Sequence, residues 1–484
     1  MPQLTGVTRR NLVFTVTALG AFMASLDLSI VNVAFPALTR SFSHSSRATL
    51  AWVITAYAIV YASLLVTSGR TADRLGRRRV FFAGLGVFSV GSALCGLAPT
   101  AELLIGGRVA QGVGAALLLP ASLGLLLEVF SEQARSQAVA LWAGVGALAV
   151  ATGPSLGAAV ISAGGWRWAF YINLPVAAIA WQVGRRVLPN DAVSDHRVAP
   201  DYPGVVFVSV ALAALVFAVS EGTGWGWSDT RVVAAFVLSA VVGALFVRRC
   251  ATHPEPVLDL ELFRHRTFTV ANAATVVYAM GFFAMLLGNI LFLTGVWHYS
   301  ILRAGLAVTP GPLVVAAVSG PAGKLAGRFG FRAVLLAGFA VFTGGLSWYV
   351  VRVGVRPEYV KQWLPATLLT GLGIGLTFPV LGAAAVASLH SSRFAVGSAV
   401  NQTARQVGGA IGVAVLVALL GSSTRVSGAA ALRDFDHLWT FCAAMAALAG
   451  LMATLLRRPR KVSVSIPALK TFPPAPAVCT AIGE

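Results

Sequence analysis

Read along its length, the chain alternates long apolar runs with short polar breaks. Fourteen runs stand out, over about 12–38, 50–68, 80–98, 103–128, 136–163, 168–188, 203–221, 231–248, 267–296, 304–322, 333–352, 363–389, 395–421 and 437–456. Each is near the roughly 20 residues that a helix needs to cross the hydrocarbon of a bilayer. None shows the period-two alternation of a barrel strand, and helices and closed barrels are the structures that satisfy their own backbone in lipid. The pattern predicts an all-α polytopic membrane protein with 14 transmembrane helices. Composition agrees. Of 484 residues, 57% are hydrophobic and 11% charged, whereas soluble domains carry roughly 45–50% and about 25%. That balance excludes an ordinary soluble enzyme, a disordered chain and a disulfide-stapled secreted domain.

The formal net charge is +19. The basic residues sit between the apolar runs instead of lining one face, as the cytoplasmic preference of Lys and Arg requires; no nucleic acid is implied. With the N-terminus placed inside, 24 of the 36 basic residues fall on the inner side and 10 on the outer, while Arg108 and Arg405 lie within runs. This bias predicts an even number of crossings and cytoplasmic N- and C-termini. Arg9 and Arg10 precede a full-length apolar run, which reads as a signal anchor. Arg outnumbers Lys 32 to 4, a hint of a GC-rich bacterial genome and hence of the bacterial inner membrane. The four cysteines lie far apart, without metal-ligand spacing.

The chain repeats itself. Gly-Arg-Thr-Ala-Asp-Arg-Leu-Gly-Arg follows the second run at 69–77, and Gly-Lys-Leu-Ala-Gly-Arg-Phe-Gly-Phe follows the tenth at 323–331. The expected organisation is an N-terminal six-helix bundle over 12–188, a two-helix insert over 203–248, a C-terminal six-helix bundle over 267–456, and a cytoplasmic tail over 457–484 that Pro473, Pro474 and Pro476 mark as disordered.

Charges inside the runs carry the candidate chemistry. A carboxylate within a spanning helix is costly and by default marks a pathway or a proton relay, so Asp27 in the first run is the leading candidate. Arg108 in the fourth is its natural partner. The helical rise separates the two by roughly 9 Å in depth, a gap that a long arginine or a bridging water closes. Arg405 is a second intramembrane cation, one turn from Asn401. Asn32, Gln111, Asn289, Asn401 and Arg405 are candidates for lining a substrate cavity. Asn401 and Arg405 serve equally well as inter-helix contacts. Trp52, Tyr57, Tyr61, Trp142, Phe282, Phe283, Phe292 and Phe378 are candidate apolar walls, and Trp166, Trp168, Trp225, Trp227, Trp297 and Trp363 are expected interface anchors. In the loop after the second run, Asp73 suits the positive end of a helix in the other half.

Six segments resemble the major facilitator superfamily, in particular its fourteen-helix drug/proton antiporters. Gly69 to Val80 resembles motif A, 106–122 resembles motif B, and 146–159 resembles the antiporter motif C. Residues 26–38, 166–175 and 401–412 are also similar to that family. Two departures are visible: Ala158 stands where motif C closes with glycine, and Gly327 of the second motif A stands where the first has Asp73. The resemblance implies proton coupling by Asp27 and Arg108. It implies cytoplasmic gating by Gly69, Asp73, Arg74, Gly76, Arg77 and Glu128, with Asp73 facing the thirteenth helix near Phe394. It implies an antiporter kink at Gly146, Gly153, Pro154 and Gly157.

The function expected is a proton-coupled antiporter that exports drug-like, antibiotic or other lipophilic compounds by alternating access. The partners are a small lipophilic or cationic substrate and the lipid bilayer. The energy source is the proton gradient, with no cofactor and no metal. A lipid or lipophilic-metabolite transporter on the same fold, and a proton-coupled importer, are the alternatives. Walker A and HExxH sequences are absent from the chain, so neither ATP-driven transport nor zinc-peptidase chemistry is supported.

Overall fold

The computed structural model describes residues 6–190, 201–389, 393–421 and 428–456; the tail expected over 457–484 lies outside these. Among the described residues the regular structure is helical throughout. The first seven helices are α1 (Gly6–Ser41), α2 (Arg47–Leu75), α3 (Arg77–Leu97), α4 (Ala101–Val129), α5 (Glu132–Gly164), α6 (Trp168–Tyr171) and α7 (Asn173–Val187). Next come α8 (Tyr202–Trp225) and α9 (Thr230–Thr252). The last seven are α10 (Arg266–Gly295), α11 (Ile301–Val308), α12 (Pro310–Phe329), α13 (Phe331–Arg352), α14 (Leu364–Val386), α15 (Phe394–Leu420) and α16 (Ala429–Ala453).

Thirteen stretches are long and apolar enough to cross a membrane, with α11 and α12 counted as one. The sixth expected run is the exception, because it breaks at Ile172 into α6 and α7. Pro175 has no N–H to give the Tyr171 carbonyl, which weakens the helix at that turn. Helix starts follow local chemistry: Ser46 caps α2 by accepting from the Thr49 N–H at 2.9 Å, and Thr100 caps α4 by accepting from Leu103.

The loop expected after the second run is a correction. α2 continues to Leu75, so Gly69, Asp73 and Arg74 are helical and the turn is a single residue, Gly76, at φ 101°. Gly330 makes the same one-residue turn between α12 and α13 at φ 85°. Both backbones lie where a side chain would be strained. The repeat runs deeper than the two motifs: positions 76 and 330, 84 and 338, 88 and 342, and 91 and 345 hold Gly, Gly, Phe and Gly at one constant offset. In each copy the glycines let the following helix pair close up, α3 onto α4 and α13 onto α14.

The bundle has two ends, named here the Ser41 face and the Gly76 face. Towards the Ser41 face one continuous buried cluster joins Ile30, Phe35, Leu50 and Phe170 to Leu287, Phe292 and Trp439. Towards the Gly76 face α1–α4 and α7 keep their own cluster, with Val16, Leu65, Phe81 and Leu125; Ala399 on α15 packs against it. The halves are therefore sealed together at the Ser41 face. There Arg47 also donates to the Leu420 and Gly421 carbonyls at 3.3 Å. α8 lies along the seam of α2 and α15, with Val216 packed among Ile59, Ala410 and Ala414. Its partner α9 is tied to it by Arg249, which donates to Asp201 at 2.5 Å.

The close approach of α3 and α4 gives a test. A Cβ at position 84 would stand 2.7 Å from the Leu118 nitrogen, while one at position 86 would meet Trp181 at 3.8 Å. Gly84→Ala should destabilise the detergent-solubilised protein by about 1–3 kcal/mol, the usual cost of overpacking, and Gly86→Ala should leave its unfolding midpoint unchanged.

Candidate functional site

The site is a polar knot sealed inside α1–α7. Asp27, Ser92, Arg108, Gln111 and Asn173 come from four helices and are at most 1% exposed. Arg108 donates Nη1 to Asp27 Oδ2 at 2.5 Å and Nε to the Val53 carbonyl at 2.7 Å. Gln111 and Asn173 donate to the other carboxylate oxygen at 3.1 and 3.2 Å. Gln111 in turn accepts from Arg108 at 2.7 Å and donates to Ser92 at 2.8 Å. The Arg108 guanidinium lies over the Tyr57 ring, 4.3 Å from its centroid. Both oxygens of Asp27 are filled by donors, which is the complement of a carboxylate anion rather than of a carboxylic acid. A buried charge with anything less would be expensive.

Two of these five were named from the sequence as a pair, and the arginine closes the depth gap directly. Gln111, expected at a cavity wall, belongs instead to this knot, where both ends of its amide are used. Ser92 and Asn173 escaped the sequence reading. Asn173 had one signal: it is a polar residue inside an apolar run, within the family-like segment 166–175.

The motif C residues form a three-helix seam near the Ser41 face. A Cβ at Gly153 would strike Ser29, and one at Gly157 would strike Ile30, so α5 lies tight on α1. Pro154 cannot donate to the Val150 carbonyl; Ser29 Oγ supplies that bond at 3.2 Å. On the other side the Pro154 carbonyl and Ala158 face Gly305 of α11, where a Cβ would meet them at 2.6 and 2.4 Å. Gly305 thus gives back the space that Ala158 takes. Gly146 approaches Ser25 one level further in.

At the Gly76 face Arg77 stands between two acids. It pairs with Asp73 at 2.8 Å and with Glu128 at 3.0 Å, and donates to the Gly124 carbonyl at 3.2 Å. Gly69 packs near Pro120, and Arg74 makes no hydrogen bond among the described residues. The segment after α9 crosses the same face. Arg70 donates to the Glu255 and Pro256 carbonyls at 2.9 and 2.7 Å. Arg393, just ahead of α15, pairs with Asp259 at 3.5 Å and Glu261 at 3.3 Å. This segment links the end of α2 to the start of α15.

The remaining candidates separate. Asn32 donates to its own helix at Leu28. Asn289 is not at a cavity wall: it accepts from Trp439 at 3.0 Å and reaches Tyr349 at 3.5 Å, inside the core of α10–α16. Asn401 donates to Asn272 at 3.1 Å and Thr275 at 3.0 Å. Arg405 is half-buried on α15, with its guanidinium over the Phe378 ring at 5.6 Å. Phe292 and Tyr57 are fully buried. Three expected interface tryptophans are also core residues. Trp166, Trp297 and Trp363 are 4%, 4% and 0% exposed, because aromatic clusters and backbone acceptors such as the Gly354 carbonyl hold them. Trp168, Trp225 and Trp227 are exposed.

A bundle of membrane-length helices in two repeated halves, with a carboxylate and a guanidinium sealed in one, is the build of a secondary transporter. The Major Facilitator Superfamily profile matches residues 17–296. The multidrug resistance protein Stp of Mycobacterium tuberculosis is 33% identical over 407 residues, 84% of this chain and 75% of that one. The methylenomycin A resistance protein of Streptomyces coelicolor is 32% identical over 426 residues, covering 87% and 86%. The puromycin resistance protein of Streptomyces alboniger is 33% identical over 415 residues, covering 85% and 81%. Among solved structures, a D-xylose-proton symporter superposes with a TM-score of 0.67 at 13% identity, covering 92% of this chain and 97% of that one. The chain belongs to the Major Facilitator Superfamily. It is a multi-pass membrane transporter, not an enzyme.

Direct pairing of Asp27 and Arg108 makes a measurable demand. Asp27→Asn and Arg108→Gln should each cost about 3–5 kcal/mol of stability, because each strands a buried charge. The double variant should lose clearly less than the sum; strictly additive losses in a denaturation cycle would contradict the pairing.

Proposed function

We propose that the protein is a proton-coupled antiporter that exports drug-like, antibiotic or other lipophilic compounds across the bacterial inner membrane, with both termini cytoplasmic. On this topology the Ser41 face is outside and the Gly76 face is inside. The observation that carries the reading is the enclosed Asp27 carboxylate, bonded as an anion, in a molecule whose outer face is sealed. Its relatives are named for resistance to several unlike compounds, among them methylenomycin A and puromycin.

The six-helix halves, α1–α7 and α10–α16, rock against each other, and the α8–α9 insert rides on their seam. The sealed outer face defines the state that loads substrate from inside. In that state Asp27 is ionised and held by Arg108, Gln111 and Asn173. After substrate leaves to the outside, a proton from outside joins Asp27 and weakens its pairing with Arg108. The loaded protein returns to the sealed state, and the proton leaves inward down its gradient as Arg108, Gln111 and Asn173 re-form their bonds to the carboxylate. Tyr57 under Arg108 stacks on Tyr61, with ring centroids 6.0 Å apart, and carries a shift of the guanidinium toward the space between the halves. Motif C and Gly305 close the outer seam, while Asp73, Arg77 and Glu128 set the inner one. The proton gradient is the energy source, and no cofactor takes part.

Purified protein in liposomes with an imposed pH gradient, presented with a panel of antibiotics and lipophilic compounds, tests this directly. The wild type should move substrate against its gradient while protons flow the other way. Asp27→Asn should still bind substrate yet lose gradient-driven movement; full retained transport would remove the carboxylate from the mechanism.

A further inference from the structure

We propose that Arg405 is the anchor of the substrate site and that it takes a carboxylate on an otherwise apolar, aromatic molecule. The inference rests on the export reading and names its substrate class. The starting point is a comparison of the arginines within the fold. Arg108, the other intramembrane guanidinium, is filled by Asp27, Gln111 and the Val53 carbonyl. Arg47 and Arg70, which tie helices and segments together, are each bonded to two backbone carbonyls. Among the described residues Arg405 has neither kind of partner. Its Nε is buried without a hydrogen bond, and among the described residues no carboxylate pairs with it. A guanidinium carries five donors and no acceptor, so an arginine serving only to pack helices would have been given carbonyls, as the others are.

Its surroundings say what is meant to fill it. Arg405 lies about 16 Å along α15 from Phe394, near the middle of the span. Two residues earlier Thr403 donates to the Ala62 carbonyl of α2 at 3.1 Å, so this level is where the two halves meet. Tyr61 of α2 immediately precedes Ala62 at that contact and stacks on Tyr57. On its own side the guanidinium covers Phe378, whose ring packs on Phe282 at 4.9 Å. Phe282, Phe283 and Phe378 are all half-buried rather than closed into the core. The acid nearest in kind, Asp27, is already neutralised within its own half. The meeting place of the halves therefore offers aromatic walls and one uncompensated positive charge. A planar oxyanion matches the fork of a guanidinium; a lipophilic cation would have to lose its water beside a like charge.

Equilibrium binding to the purified full-length protein, read by probe fluorescence without any gradient, tests this. The probes are 9-anthracenecarboxylate, its neutral amide and 9-anthrylmethylammonium, three molecules of one shape and different charge. The wild type should bind the carboxylate about tenfold or more tighter than the ammonium compound, in keeping with a charge-assisted bond. Arg405→Gln should erase that preference while still binding the neutral amide, and Arg405→Lys should keep part of it. Should Arg405→Gln fail to fold, the wild-type preference and the lysine variant still decide the matter. Binding that ignores charge in the wild type, or a preference that survives Arg405→Gln, overturns the proposal. Failure of the export reading would look different: the carboxylate preference would stand, but no compound would move against its gradient in liposomes.

Discussion

A carboxylate and a guanidinium held together deep inside the helix bundle set the terms for the rest of this molecule. Two charges in a low-dielectric interior are tolerated only when each is paired and its remaining hydrogen-bonding capacity is met. Asp27 and Arg108 achieve this by drawing donors and acceptors from α1, α2, α3, α4 and α7. The requirement explains local features that otherwise look unrelated. Asn173 stands at the first position of α7, just after the break at Ile172, where its amide reaches Asp27. Gly91 leaves room for Gln111 to pass close to α3 on its way to Ser92. In the proposed mechanism, one proton added to Asp27 disturbs every member of this network.

The same demand divides the labour between the halves. The first half holds the charge pair and is closed around it. The second half is built on a cluster of aromatic rings, Phe292, Tyr349, Trp363 and Trp439, with no ion pair inside it among the described residues. The repeat is still visible in the turns at Gly76 and Gly330 and in the tight pairs α3–α4 and α13–α14. Polar side chains have diverged over this common frame. The segment after α9 adds something neither half has, a bridge between Arg70 and Arg393 across the Gly76 face.

Much of this was legible in the residues. Long apolar runs report spanning helices because lipid leaves few other solutions, and thirteen of the expected spans appear as single stretches or as the α11–α12 pair. Asp27 and Arg108 stood out because charge inside such a run is rare. What stayed hidden was of two kinds. Neutral polar residues such as Ser92 and Asn173 carry little signal, since one helix offers no hint of which neighbour it will meet. Burial of aromatics was misjudged for Trp166, Trp297 and Trp363: run ends mark the membrane surface, but they do not say whether a ring turns to lipid or to the core. The extension of α2 to Leu75 was missed because its last turns are charged, and charge ended the apolar run before the helix itself ended.

Infrared difference spectroscopy of the full-length protein, following carboxyl bands as pH is lowered and as substrate is added, measures the switch most directly. A protonated-carboxyl band should appear at low pH, vanish when substrate binds, and be missing from Asp27→Asn. A carboxylate signature at position 27 that stays fixed through the pH range and through substrate addition would contradict a proton-carrying role for this pair.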